Sequence, residues 1–210
     1  MRVFGLVLGQ AVRLAFRKGG GAFGTCGFYI IIVTLFTFGL GPQEMQAHAG
    51  AVMCVALLLS VITALPLMYE RDYEDGTLEQ MLLQPVLMEM VVLAKIAGQW
   101  VASVAPMLAV SPLLAVMANL DAGQGARSML LLALASPTII ALGSIAAALT
   151  LGSKRGGLLQ ALVLMPLSIP VLIFAANGGQ GALWFLSGLL FGIVPLSCFV
   201  SAALIRISQD

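Results

Sequence analysis

The sequence predicts an all-α membrane protein with six transmembrane helices, an N-terminal amphipathic interfacial helix and a short cytoplasmic helix. Three observations carry that fold class. Of the 210 residues, 60% are hydrophobic and 9% are charged, against about 25% charged in soluble domains, and the mean hydropathy is +1.06. The apolar residues gather into runs close to the roughly 20 that cross about 30 Å of hydrocarbon as a helix. Charge, by contrast, is concentrated: five of the nine acidic residues fall between Glu70 and Glu79. A net charge of +1 offers no bulk attraction to nucleic acid, so the distribution of charge carries the information.

Residues 1–18 read as helix and not as a signal peptide, because basic residues are spread through them and no small-residue cleavage site follows an unbroken apolar core. At about 100° per residue, Arg2, Gln10, Arg13 and Arg17 share an arc of roughly 80° opposite Val3, Phe4, Val7, Leu8, Ala11, Leu14 and Ala15. That pattern fits a helix lying along a membrane surface; a disordered basic tail is the alternative. Six spans follow, at about 21–40, 49–68, 91–118, 129–152, 158–176 and 182–204. Pro106 and Pro112 predict a kink or break in the third, and Pro166 with Pro170 in the fifth hints at an internal repeat. Connections are short except at 69–90, which leaves residues 1–210 as a single transmembrane domain.

Orientation follows from Lys and Arg. With the amino end inside, the cytoplasmic face receives Arg2, Arg13, Arg17, Lys18, Arg71, Lys95, Lys154, Arg155 and Arg206, and only Arg127 lies outside. Both termini and the charged segment are then cytoplasmic. Inside that segment, Thr77 and Gln80 have capping-box spacing, Gly76 gives a flexible entry, and Pro85 forces an end. The result is a short helix at about 78–84, too short to stand without a surface to lean on.

Several chemistries lack their residues. Lys18, Lys95 and Lys154 are the only lysines and none sits in a P-loop pattern, so the chain is not expected to bind ATP itself. Ion-coupled carriers keep ionisable groups deep in the bilayer, whereas Glu89, Lys95, Lys154 and Arg155 are placed at span edges. Intramembrane catalysis needs a nucleophile with a base, paired carboxylates or metal ligands; no metal site is expected. The single histidine, His48, is expected on an external loop, where solvation is the plain reading and haem contact the alternative. Cys26, Cys54 and Cys198 read as small buried hydrophobes. Gly20-x-x-x-Gly24 and Gly188-x-x-x-Gly192 permit close helix contact, and Trp100 and Trp184 read as interface anchors.

The charged segment resembles ABC-2 permeases, whose second and third spans are joined by a cytoplasmic E-R-x-x-E-x-G-T-L-E-x-x-L-x-x-P stretch. It stands here as Glu70, Arg71, Glu74, Gly76, Thr77, Leu78, Glu79, Leu82 or Leu83, and Pro85. Through Leu87, Glu89, Val91 to Lys95 and Trp100 the likeness narrows to the haem exporter B family of the cytochrome c maturation system, which is similar in length and six-span plan. The resemblance implies a coupling helix on which a separate ATPase, the A component of that system, docks. Glu70, Arg71, Glu74, Asp75, Gly76, Thr77, Leu78, Glu79 and Leu82 would form that surface; a merely solvated acidic connection is the alternative. It also implies two B copies, association with the C and D components and the haem chaperone E, and a bacterial inner-membrane location. ATP would be bound by the partner and haem handled by the complex, with no cofactor held by this chain. The tryptophan-rich haem signature of the C component is absent, so this chain is expected to transmit ATP-driven motion as a non-catalytic part. An ABC-2 permease for lipid, polysaccharide or drug is the main rival reading, and an ion-coupled carrier the second.

Overall fold

The computed structural model describes residues 9, 21–83, 87–153, 156–179 and 181–208. The interfacial helix expected over 1–18, the stop at Pro85, and Lys154 and Arg155 therefore lie outside the described residues, Gly9 excepted. Among the described residues, six helices or helix pairs are long and apolar enough to cross a membrane, and the chain is a multi-pass membrane protein. In order these are α1 (Gly21–Leu40), α2 (Pro42–Ala64), the third span made of α5 (Met88–Gln99) and α6 (Ala105–Met117), α7 (Ala122–Leu149), α8 (Gly156–Asn177) and α9 (Ala182–Ile207). Two short helices, α3 (Glu70–Glu74) and α4 (Thr77–Leu83), lie between the second and third spans. Helices are the natural solution, since in hydrocarbon each backbone N–H and C=O must be satisfied within its own segment.

Contacts define two ends. At one, Pro66 lies by Gly157, Tyr73 by Gly152, and Arg206 pairs with Glu89 at 3.0 Å; this is the end that carries α3 and α4. At the other, Gly50 faces the Ala176 carbonyl and Ser128, and Gly178 faces Leu131 and Arg127. Successive spans thus alternate in direction.

The core sits on α7. Of its apolar stretch 67% is buried inside the protein, against 17% for α1, so α7 is the central post and α1 the outer one. It packs against α2, α5, α6, α8 and α9. Its sequence explains why: Ala135, Ser136, Ala141, Gly143, Ser144, Ala146, Ala147 and Ala148 are all small and buried, and small residues let helix backbones approach where lipid supplies no hydrophobic drive. Hydroxyls tie the bundle further. Tyr29 and Ser111 hydroxyls meet at 3.0 Å between α1 and α6, and Trp100 Nε1 donates to Ser136 Oγ at 2.9 Å. Trp100 is therefore an interhelical tie within the third span, not the interface anchor its position suggests, whereas Trp184 is 83% exposed near a span end.

The expected break in the third span takes the form of a π-turn over Trp100–Val104. Pro106 has no N–H to return to the Ala102 carbonyl, and the Ala105 N–H reaches back five residues to the Trp100 carbonyl. Pro166 and Pro170 lie inside an unbroken α8, so the two proline pairs do not mark equivalent structures. The Gly188 and Gly192 positions have nothing within 4 Å of where a Cβ would stand; that spacing serves no contact among the described residues. Cys54 and Cys198 are buried as expected, and Cys26 is half-buried.

The closest approach is at Gly143, where a Cβ would lie 2.5 Å from Leu65 Cδ1. Leu65 is itself fully buried and has little room to give way. Gly143→Ala should destabilise the protein by about 1–3 kcal/mol through overpacking, read as a lower Tm in detergent, and adding Leu65→Ala should recover part of that loss.

Candidate functional site

Segment 65–90 is built from short pieces. Pro66 helps turn the end of α2 into a 3-10 turn, Leu65–Met68, after which α3 forms and closes with Asp75 N–H on the Arg71 carbonyl at 2.9 Å. Gly76 takes φ +68°, the left-handed region that glycine occupies without strain. Its N–H bonds the Tyr73 carbonyl at 3.2 Å and its carbonyl accepts the Gln80 N–H at 3.4 Å. Gly76 thus ends α3 and occupies the N-cap position of α4, so the capping box expected on Thr77 and Gln80 is one residue out of register. The helix expected at 78–84 exists, while α3 has no counterpart in the sequence reading: five residues are too few to show a period.

One face of this segment is fastened down. Leu65, Tyr69, Leu78 and Met88 are at most 2% exposed, and Met81 packs on the same core. Leu78, expected on the docking surface, faces inward and acts as an anchor. Tyr69 is tied through its hydroxyl to Ser144 Oγ at 2.7 Å, which meets Ser201 Oγ at 3.0 Å, so one chain of hydroxyls joins the segment to α7 and α9. Burial pushes the Tyr69 hydroxyl well above its usual range, which keeps it protonated and able to donate.

The strongest fastening is ionic. Lys95 is 7% exposed and lies two turns from the start of α5, at the end of the span that carries α3 and α4. Its Nζ pairs with the Asp72 carboxylate, donates to the Met68 carbonyl at 3.0 Å, and sits 4.9 Å from the centre of the Tyr69 ring. Three closely spaced features of the segment therefore meet one ammonium. A charge held away from water costs several kcal/mol unless it is paired and hydrogen-bonded, and here it is both. Sequence reasoning passed over this pair. The available signal was Lys95 itself, a lone cation in an apolar helix, which demands a partner; nothing in the 23-residue separation names Asp72.

The other face is open and acidic. Glu70, Arg71, Glu74, Asp75, Glu79 and Gln80 are exposed or half-exposed, with Gly76 and Thr77 half-buried beside them; the Leu82 side chain lies outside the described ones. Four carboxylates thus stand against one guanidinium, Asp72 being engaged by Lys95. Tyr73 leans on Gly152, whose hypothetical Cβ would meet the Tyr73 hydroxyl at 3.2 Å, so the 150–153 turn braces the surface. The cleft between Pro66, Glu70 and Gly156, Gly157 and Gln160 has about 20 Å³, room for a water and far below the roughly 300 Å³ of a small-molecule site. Among the described residues the arrangement is a braced acidic surface without a ligand-sized cleft.

His48 stands at the opposite end. It belongs to the second turn of α2, which starts at Pro42 rather than 49, and not to a loop. Its Nδ1 lies 3.0 Å from the Glu44 carbonyl and 3.9 Å from the Glu44 carboxylate. No group of three His, Cys, Asp or Glu side chains able to hold a metal occurs among the described residues.

Residues 2–208 match the family described as CcmB protein. Heme exporter protein B of Rhodobacter capsulatus is 38% identical over 96% of this chain and 98% of its own length. The protein of the same name from Pseudomonas aeruginosa is 36% identical over 98% and 97%, and that of Escherichia coli K12 is 38% identical over 99% and 97%. With the match running from end to end of both partners, the chain belongs to the CcmB protein family.

Proposed function

We propose that this chain is the membrane-spanning permease subunit of an ABC transporter complex needed for c-type cytochrome biogenesis, and that it couples ATP hydrolysis by a partner ATPase to the rest of that complex. The observation that carries this reading is the acidic face of α3 and α4, fastened to the spans from below and open above. A rigid charged surface between two spans is suited to receive force; a solvated connection would need no Lys95, Tyr69 or Leu78 beneath it. The names of the relatives, Heme exporter protein B, direct the reading to haem and to cytochrome assembly.

On this reading residues 1–210 are one ABC-2-like transmembrane domain in a bacterial inner membrane with both termini cytoplasmic. Arg71, Lys95 and Arg206 gather at the α3–α4 end and Arg127 at the other, and the positive-inside bias supports reading the former as the cytoplasmic end. The chain itself is non-catalytic. ATP binds to the partner ATPase, the A component, which docks on Glu70, Arg71, Glu74, Asp75, Gly76, Thr77 and Glu79, with Leu82 as a candidate contact and Leu78 supporting them from beneath. Two copies of this chain join two ATPases, the C and D components and the chaperone E complete the pathway, and haem is handled by the complex rather than held here.

Charge reversal at Glu74 and Glu79 together should lower the amount of ATPase recovered with the tagged protein by about tenfold, since like charges facing each other across an interface are costly. Helical content should not change, both side chains being exposed. Undiminished recovery would remove the docking assignment. His48→Ala should leave cytochrome c assembly at its normal level; loss of assembly with the complex intact would place haem on the outer end of this protein.

A further inference from the structure

We infer that Lys95 and Asp72 are the positioning pair through which movement of the acidic surface enters the third span, and that the π-turn at Trp100–Val104 is where the span takes that movement up. The inference rests on the docking reading above and names its transmission path.

Two routes lead from the surface into the bundle. One is the hydroxyl chain from Tyr69 through Ser144 to Ser201, which ends on α7, the central post, and on α9. The other is the Lys95 ammonium, held by Asp72, the Met68 carbonyl and the Tyr69 ring. The second differs in kind. The pair resists separation because the buried Lys95 ammonium would be left without water or partner, although Asp72 is 28% exposed, so a pull on α3, which carries Asp72, is a pull on α5. Hydroxyl contacts between neutral groups re-form readily with other acceptors.

Directly beyond Lys95 the helix changes character. Trp100 begins five residues later, about 7.5 Å along the axis, and the π-turn there lacks the regular ladder. Such turns are local weak points in helices and recur at functional positions. At the start of the turn, Trp100 Nε1 holds Ser136 of α7, and Gln99 Nε2 reaches across the turn to Ser103 Oγ at 3.0 Å. The third span is thereby divided into a part fastened to the acidic segment and a part that continues from a proline-relieved turn. Motion imposed on the first part has a defined place to bend relative to α7.

The test uses the whole complex, purified with its ATPase, and Lys95→Met, which keeps the length and bulk of the side chain without its charge. Less ATPase is expected on the loosened segment, so the readout is taken per ATPase-loaded complex: cytochrome c produced by each such complex should fall by about tenfold, the size expected when a coupling link is removed. The exchange Asp72→Lys with Lys95→Asp should restore a large part of the output. Should Lys95→Met fail to accumulate, Asp72→Asn carries the same test. Normal output per complex in either variant overturns the inference, as does a loss of output matched by an equal loss of assembled complex, which would make the pair structural only. If the unmodified chain retains no ATPase, the docking reading fails and takes this link with it; ATPase retained together with normal output from Lys95→Met overturns the link alone.

Discussion

The Lys95 ammonium is the constraint around which the α3–α4 end of the molecule is arranged. A cation two turns inside an apolar helix must find a counter-charge and acceptors, and the chain supplies them from a single neighbouring segment. Met68 and Tyr69 reach Lys95 from the 3-10 turn that ends α2 and the residue after it, and Asp72 from α3, which starts directly afterwards. Losing one member of a fully buried pair costs about 3–5 kcal/mol and an exposed pair is worth about 0–1 kcal/mol; Lys95–Asp72, with Asp72 28% exposed, lies between the two, and the Arg206–Glu89 bridge, with Arg206 54% exposed, belongs nearer the second class. The acidic segment is fixed mainly by what lies beneath it.

That fixation explains how so short a pair of helices can present a defined surface. Neither α3 nor α4 has the length to persist alone in water. Leu78 and Tyr69 fully buried below, Gly76 joining the two helices, and Tyr73 against the 150–153 turn replace the stability that length would give. The central helix α7 completes the support: its small residues admit Leu65 at Gly143 and offer Ser144 to Tyr69. Surface, fastening and post are continuous.

Most of the spanning architecture was legible because hydrophobic length is a strong signal: all six spans were placed, and the proline-marked third was expected to break. Their ends were less so. Pro42 and Ala122 begin helices about seven residues early, carrying His48 and Arg127 into helices, because polar residues at a helix end read like loop. Within the charged segment, the composition picked out the exposed acids, but not that Leu78 is buried, that Gly76 and not Thr77 caps α4, or that Asp72 belongs to Lys95. Each of these depends on what the segment packs against, and a contact across 23 residues leaves no trace in local spacing. Trp100 is of the same kind, since its partner Ser136 lies in another span.

If Lys95 holds the acidic segment as a fixed body, removing its charge must loosen that segment. Pulsed electron paramagnetic resonance between spin labels at Glu79→Cys and Leu149→Cys, in a background with the three native cysteines replaced by alanine, measures this directly. A narrow distance distribution that broadens when Lys95→Met is added is the predicted result. A distribution already broad with Lys95 in place, or one left equally narrow without it, would contradict the account.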